Sequence, residues 1–117
     1  MFIIKLINLK NQTINFDSIL TIQHSLYIKN CYNIKIIIHS KINKIIIDKS
    51  SNVFTQINYL ISGFDINYSQ FVFIHSDTFN YIPIIDIYKS SCYLIGNIDK
   101  YKHIKIIASH SDLYNID

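Results

Sequence analysis

The residues that could supply a nucleophile and a base lie together near the end of the chain, in the segment Ala108-Ser109-His110-Ser111-Asp112. A serine hydrolase needs a histidine in contact with its nucleophilic serine and donors for the oxyanion. Neighbouring residues of an extended chain point to opposite sides, so this spacing does not bring the side chains of Ser109 and His110 together. We therefore expect no hydrolase chemistry from this segment.

The other residues capable of metal, redox or acid–base chemistry are scattered. The five histidines show neither the HxH nor the HExxH spacing of a zinc site. Cys31 and Cys92 form no CxxC pair and are predicted to be small core residues. Asp48 and Asp65 are not expected to share a register, as the carboxylates of a carbohydrate-active β-helix enzyme would. We expect no enzyme, no metal and no cofactor.

The composition argues against nucleic acid and membrane as partners. All 11 basic residues are lysine and all 8 acidic residues are aspartate. Nucleic-acid surfaces favour clustered arginine, whereas these lysines alternate with aspartates and apolar residues. Polar residues interrupt every apolar run, and no signal peptide is recognisable after Met1. We expect a soluble cytoplasmic protein.

A short phrase recurs along the chain. Each copy has an isoleucine followed three residues later by cysteine or serine, and a second apolar block comes next. The copies are LYIKNCYN (26–33), IIIDKSSN (45–52), FDINYSQF (64–71) and IDIYKSSC (85–92). Their isoleucines are Ile28, Ile47, Ile66 and Ile87, at intervals of 19, 19 and 21 residues.

A period near twenty residues with short strand-like segments predicts a β-solenoid of about five to six coils, forming one domain over residues 1–117. The four isoleucines would stack as one inward ladder, with matching strands parallel. Asparagine and serine would occupy the corners, because asparagine tolerates the left-handed region. An antiparallel sandwich of short strands is the alternative.

The two ends of the chain fit the repeat less well. The segment FIIKLIN (2–8) is expected to be an edge strand that caps the stack, and INFDSILTI (14–22) an incomplete first coil. Segment 98–117 is expected to supply a last coil or a strand that leaves the stack. The unpaired end of a β-helix needs a cap or a copy of itself.

The phrases LYIKNCYNIKIII and SKINKIIIDKSSN resemble the C-terminal domain of the cyclase-associated proteins. That family's coils read aliphatic-x-aliphatic-x-x-Cys, then Asn, then another aliphatic strand. The resemblance extends over residues 8 to 116 and implies a right-handed parallel β-helix. Two departures are Ser50 where the family usually has a second cysteine, and a short tail ending at Asp117.

The resemblance implies a regulator of actin turnover rather than an enzyme. It would bind monomeric actin, prefer the ADP form and speed exchange to ATP, in association with the cytoskeleton. The family's large cyclase-binding region and proline-rich linker have no counterpart in this sequence, so a link to adenylyl cyclase does not carry over.

The segment 41–49 matches the family's best-kept stretch, so the actin-facing patch is placed there. The expected lysine donors to actin carboxylates are Lys41, Lys44 and Lys49, with Asp48 orienting the patch. Lys29 lies 19 residues before Asp48, so the two charges are expected to stack and could pair.

The open second end of the stack also predicts a homodimer through residues 104–116, because that end needs a cap or a copy of itself. The dimerisation residues are predicted to be Ile104, Ile106, Leu113, Tyr114 and Ile116.

Two rival functions remain. The tubulin-folding cofactor C domain shares this type of β-helix, but its stimulation of GTP hydrolysis needs an arginine finger and this chain has no arginine. A cofactor C-like binding module without that activity, or a structural protein without actin activity, is the alternative function.

Overall fold

The chain folds into stacked coils made of two parallel β-sheets. The computed structural model describes residues 1–17, 19–96 and 104–116. Each coil gives one strand to each sheet, and every pairing between described strands is parallel. The predicted parallel solenoid is confirmed, and the antiparallel sandwich is excluded for these residues.

The six coils contribute twelve strands. In stacking order, the first sheet contains β1 (Phe2–Ile7), β3 (His24–Lys29), β5 (Ile42–Asp48), β7 (Leu60–Asn67), β9 (Ile84–Tyr88) and β11 (Lys105–Ser109). The second sheet contains β2 (Lys10–Phe16), β4 (Tyr32–Ile38), β6 (Ser51–Gln56), β8 (Gln70–His75), β10 (Ser91–Ile95) and β12 (Asp112–Ile116).

The core lies between the two sheets. Ile28, Ile47, Ile66 and Ile87 occupy matching positions on successive strands of the first sheet, and all four are fully buried. Burial of one such side chain contributes about 1.5–3 kcal/mol. The partner of each strand is thus the equivalent strand one coil away, as the repeat predicts.

The corner from the first sheet to the second is uniform in every coil. It always has two residues: 8–9, 30–31, 49–50, 68–69, 89–90 and 110–111. The first corner residue always has a left-handed backbone, with φ between 46° and 60°. Asparagine fills only two of these six positions, so the expected restriction to asparagine and serine is wrong at Lys49, Tyr68, Lys89 and His110.

A ladder of serine hydroxyls holds the corners together. The N–H of Ser50 donates to Oγ of Ser69 (3.1 Å), and the N–H of Ser69 donates to Oγ of Ser90 (3.0 Å). Cys31 donates in the same way to Ser50, and Ser90 donates to Ser111. Each serine hydroxyl also donates to the carbonyl two residues before it. Serine is suited to this position because its hydroxyl satisfies a buried N–H in the preceding coil.

The turns from the second sheet back to the first differ in length. Turns 39–41 and 57–59 have three residues each, whereas turn 76–83 has eight. The longer turn contains a 3₁₀-helix, Phe79–Tyr81, whose start is capped by the Thr78 hydroxyl. The turns on this side of the stack therefore accommodate the differences in repeat interval.

The first coil differs from the sequence prediction. β1 is an edge strand as expected, but it pairs with β3 as a regular member of the first sheet rather than as a separate cap. The first coil is built from β1 and β2, over residues 2–16, and not from residues 14–22. At the other end, β11 and β12 form a last coil, one of the two outcomes expected for residues 98–117.

Replacing a hydroxyl of the serine ladder should destabilise the fold. In Ser69→Ala the buried N–H of Ser50 loses its acceptor, so the free energy of unfolding should fall by about 1–3 kcal/mol. Urea unfolding followed by circular dichroism measures this change. Ser62→Ala, at an exposed position, is the control and should change stability by about 0.5 kcal/mol at most. Equal unfolding midpoints would contradict the ladder's role.

Candidate interaction surface

The outward face of the first sheet carries three of the five residues predicted to bind a partner. Side chains alternate across a strand, so Lys44 and Asp48 of β5 point away from the core that Ile45 and Ile47 fill. Lys29 of β3 has the same orientation. The other two predicted residues, Lys41 and Lys49, lie in the turns at opposite ends of β5.

Lys29 and Asp48 occupy matching positions on β3 and β5, as the 19-residue spacing predicts. The two charges stack, but the ion pair that this stacking would allow does not form. Within the described parts of the chain, the lysine–aspartate ion pair is Lys44–Asp65. Asp48 instead accepts a long 3.5 Å hydrogen bond from the Tyr27 hydroxyl. An exposed pair contributes at most about 1 kcal/mol, too little to fix a flexible lysine.

Lys44 forms the ion pair that the sequence analysis did not anticipate. Its Nζ lies 2.7 Å from Oδ2 of Asp65, and about a third of each side chain is exposed (32% and 35%). Gly63 is the register partner of Lys44, and Asp65 lies two residues further along β7. The φ of Gly63, +104°, and the nearby Ile84 carbonyl exclude a larger residue at this position.

Lys41 rests on an aromatic ring. Its Nζ is 3.9 Å from the ring centroid of Tyr59, a cation–π distance. The Tyr59 ring stacks on Tyr81, with centroids 4.9 Å apart and planes within 3°. The ammonium group of Lys41 is therefore held at the edge of the first sheet. Neither tyrosine was predicted, because they belong to turns of unequal length and do not follow the repeat.

The five predicted residues thus separate into two groups along β5. Lys29, Asp48 and Lys49 lie at the corner end of the strand, whereas Lys41 and Lys44 lie near its beginning. With about 3.3 Å per residue, the two groups are roughly 15–20 Å apart. Lys41 and Lys44 already have partners, while Lys29 and Lys49 form no ion pair with any residue that the structure describes.

Two carboxylates that sequence analysis did not pair are neighbours. Asp65 and Asp86 match in register on the outward face of β7 and β9. Asp48 matches Asn67 instead, so the prediction that Asp48 and Asp65 differ in register is confirmed. Among residues 1–17, 19–96 and 104–116, no group of three or more His, Cys, Asp or Glu residues could hold a metal ion.

The outward face of the second sheet carries an aromatic ladder that the sequence analysis missed. Rings at matching positions stack along it, with centroids 4.9 Å apart for Phe73–Tyr93 and 4.8 Å apart for Tyr93–Tyr114. Phe54 continues the same row, and Lys35 places its Nζ 5.1 Å from that ring. The intervals between these residues, 19, 19, 20 and 21, were available in the sequence as a second periodic signal.

The segment with serine and histidine neighbours has a structural role. The Ser111 hydroxyl accepts from the N–H of Ser90 and donates to the carbonyl of Ser109. His110 is the left-handed corner residue, and its ring meets the edge of Tyr88. This hydroxyl is thus engaged in the corner ladder rather than positioned for attack on a substrate.

The predicted dimerisation residues belong to the last coil. Ile104 and Ile106 are half-buried against the core. Leu113, Tyr114 and Ile116 are exposed by 36%, 47% and 45%. β11 and β12 each stand last in their sheet, and the role of these residues in association stays a prediction.

Comparison with protein-family models finds one whose description is "Adenylate cyclase associated (CAP) C terminal", and it matches residues 2–117. This chain belongs to the CAP C-terminal family. A solved structure of the cyclase-associated protein from Cryptosporidium parvum has the same fold, with a TM-score of 0.77 and 19% sequence identity. The alignment covers 95% of this chain and 73% of that chain. A comparison with curated protein sequences found no match.

Membership in the CAP C-terminal family confirms the resemblance identified in the repeated phrases. It points to an actin-related, cytoskeletal and non-catalytic role, and to association between copies. Over the described residues, no helix is long and apolar enough to cross a membrane.

The cysteines of this CAP C-terminal chain should be unreactive while it is folded. Cys31 and Cys92 are both buried, and burial raises the pKa of the Cys92 thiol to about 12. Because the thiolate is the reactive form, Ellman's reagent at pH 8 should label neither cysteine until denaturant is added.

An introduced surface cysteine provides the control for this labelling. Ser62→Cys places a thiol at an exposed position of β7 and should react at once. Native cysteines that react as fast as this control would show that the core opens.

Proposed function

We propose that this chain binds monomeric actin, prefers its ADP form and promotes exchange of ADP for ATP. The observation that carries this proposal is the match of the CAP C-terminal family to residues 2–117. The chain would act by binding and not by bond chemistry. A rigid partner that has greater affinity for actin with an open nucleotide cleft shifts actin toward that state.

The surface proposed to face actin is the outward face of the first sheet around β5. Two features support it. Strands β3, β5 and β7 form a continuous parallel ladder, which gives a rigid face. Lys29 and Lys49 add positive charges that no described residue neutralises, and these would attract the acidic actin surface.

The roles proposed for the five residues differ according to their present contacts. Lys29 and Lys49 are the principal donors to actin carboxylates, with Asp48 orienting the corner. Lys44 would have to leave Asp65, 2.7 Å away, to bind actin. Lys41 would contact actin from its position on Tyr59, where its ammonium is already ordered.

Removal of the two lysines at the corner end of β5 should weaken actin binding. In the double variant Lys29→Gln/Lys49→Asn, the asparagine suits the left-handed φ of 50° while removing the charge. Each charge contributes up to about 1 kcal/mol, so the dissociation constant should rise roughly five- to thirtyfold. The assay follows release of fluorescent ADP from actin as the protein is titrated.

Lys35→Gln/Lys89→Asn is the matched control. It removes the same charge, from the second-sheet face and from a later corner, and should leave exchange unchanged. Equal weakening of actin binding by both double variants would show that binding depends on overall positive charge and not on the proposed patch. No faster release with excess wild-type protein would favour a structural protein without actin activity.

We also propose that the chain forms a homodimer through residues 104–116. The half-buried Ile104 and Ile106 would be covered, together with Leu113, Tyr114 and Ile116, by the last coil of a second copy. The outer strands β11 and β12 support this proposal, because unpaired strand edges favour addition of another strand.

Sedimentation velocity at micromolar concentration tests the dimer. Wild-type protein should sediment as a dimer, and Ile116→Lys should shift it to monomer because the introduced charge would be buried in the interface. Ile19→Lys, at a position 73% exposed between β2 and β3, is the control and should remain dimeric. Wild-type protein that is wholly monomeric would overturn this assignment.

A further inference from the structure

Both strands of the first coil have an open edge, because β1 and β2 each stand at the end of their sheet. β1 is first in its sheet and pairs with β3 alone among the described strands. The N–H of Phe2 donates to Gln23 and the N–H of Asn8 donates to Lys29, so the even-numbered residues of β1 face β3. Alternate residues of a strand in a parallel sheet face opposite neighbours. Ile3, Lys5 and Ile7 therefore present their N–H and C=O groups to the open edge.

The core is also incompletely covered at this end. The inward-facing Ile4, Leu6 and Phe16 are only partly buried, whereas the equivalent core residues of the middle coils are fully buried. On the outward face, Ile3 is 59% exposed and Ile7 is 42% exposed. A strand added at this end could therefore pair with the free backbone groups of β1 and cover these apolar side chains.

The asparagine side chains show the same incompleteness. Asn30 donates from its amide to Asn8 and Asn33 donates to Asn11, both at 2.7 Å. Asn52 continues the second row by donating to Asn33. The amide NH₂ groups of Asn8 and Asn11 donate to no residue that the structure describes. The two rows of asparagine side chains therefore end at the first coil, where the amide donors of Asn8 and Asn11 are free to bind another chain.

Charge is distributed unevenly along the stack and indicates what kind of partner fits. Residues 1–41 contain five lysines and one aspartate, a net charge of 5 − 1 = +4. Residues 42–117 contain six lysines and seven aspartates, a net charge of 6 − 7 = −1. The open edge lies at the basic end, and Lys5 stands at its centre between two exposed isoleucines.

We propose that the β1 edge binds an extended acidic polypeptide segment as an added strand. An aspartate or glutamate of that segment would face Lys5, and apolar residues two positions before and after it would face Ile3 and Ile7. Main-chain hydrogen bonds would give affinity, and the alternate side chains would give specificity. This surface is separate from the one proposed for actin, so either proposal can fail alone.

Lys5 also argues against a second copy as the occupant. A twofold arrangement would pair β1 with β1 in antiparallel orientation, and pairing centred on Lys5 would place the two lysines opposite each other. Like charges directly opposite destabilise a strand pair, and lysine on an edge strand hinders self-association. The net charge of +4 on residues 1–41 of each copy adds to this repulsion.

A pair of synthetic peptides tests the proposal. Both are fluorescein-labelled nine-residue peptides with isoleucine at positions three and seven, and position five is aspartate in one and lysine in the other. Fluorescence anisotropy should show that the whole chain binds the aspartate peptide more tightly. Equal affinity for the two peptides, or no binding of either, would overturn the proposal.

Variants of Lys5 separate backbone pairing from charge. Lys5→Gln removes the ammonium alone. Lys5→Pro removes the ammonium and an edge N–H, without removing a bond to β3, and should bind about tenfold more weakly than Lys5→Gln because the ladder is interrupted. Lys5→Asp should reverse the preference toward the lysine peptide. Circular dichroism and urea midpoints would show that each variant is folded, and Lys5→Asp alone suffices if the proline variant is not.

Lys89→Asp makes the same charge change at the corner after β9, far along the stack from β1, and should behave as wild type. Equal effects of Lys89→Asp and Lys5→Asp would overturn the assignment to β1. Concentration-dependent assembly of the chain that Lys5→Pro abolishes, without peptide binding, would assign the edge to a second copy and also overturn the proposal.

Discussion

The two-residue corner is the constraint on which the stack depends. A chain that turns in two residues must place one of them in the left-handed region, and it leaves a backbone N–H pointing along the stack inside the protein. A hydroxyl from the next coil satisfies that N–H at Cys31, Ser50, Ser69 and Ser90. The requirement recurs in every middle coil, and it fixes a small residue at the corner three positions after the buried isoleucine.

The sequence predicted the fold because this constraint repeats. The isoleucine ladder, the spacing of the small residues and the parallel pairing all follow from one interval. The type of residue at the left-handed corner position was harder to predict than the fold. At Tyr68 and Lys89, neighbouring contacts replace the intrinsic preference of asparagine: the rings of Tyr68 and Tyr88 meet edge to face, and the Lys89 Nζ lies 5.8 Å and 5.5 Å from them.

The candidate surface was predictable only in part. Register placed Lys29 beside Asp48 correctly, but register alone does not decide which charges pair. Lys44 pairs with Asp65, which lies two residues beyond its register partner on β7, and Lys41 contacts Tyr59, which belongs to a turn outside the repeat. Side chains on the outward faces do not have to pack into the core. Their partners therefore depend on the local shape of the surface, which the repeat interval does not predict.

The asymmetry between the two sides of each coil determines where the polypeptide tolerates added length. An extra residue at a corner would move a serine hydroxyl out of line with the N–H it satisfies in the adjacent coil. The opposite turns that the structure describes in full already range from three to eight residues, and the strands on either side of them stay paired in parallel. Insertions during evolution should therefore accumulate along that single side, which is also where a foreign peptide or a sensor domain can be grafted.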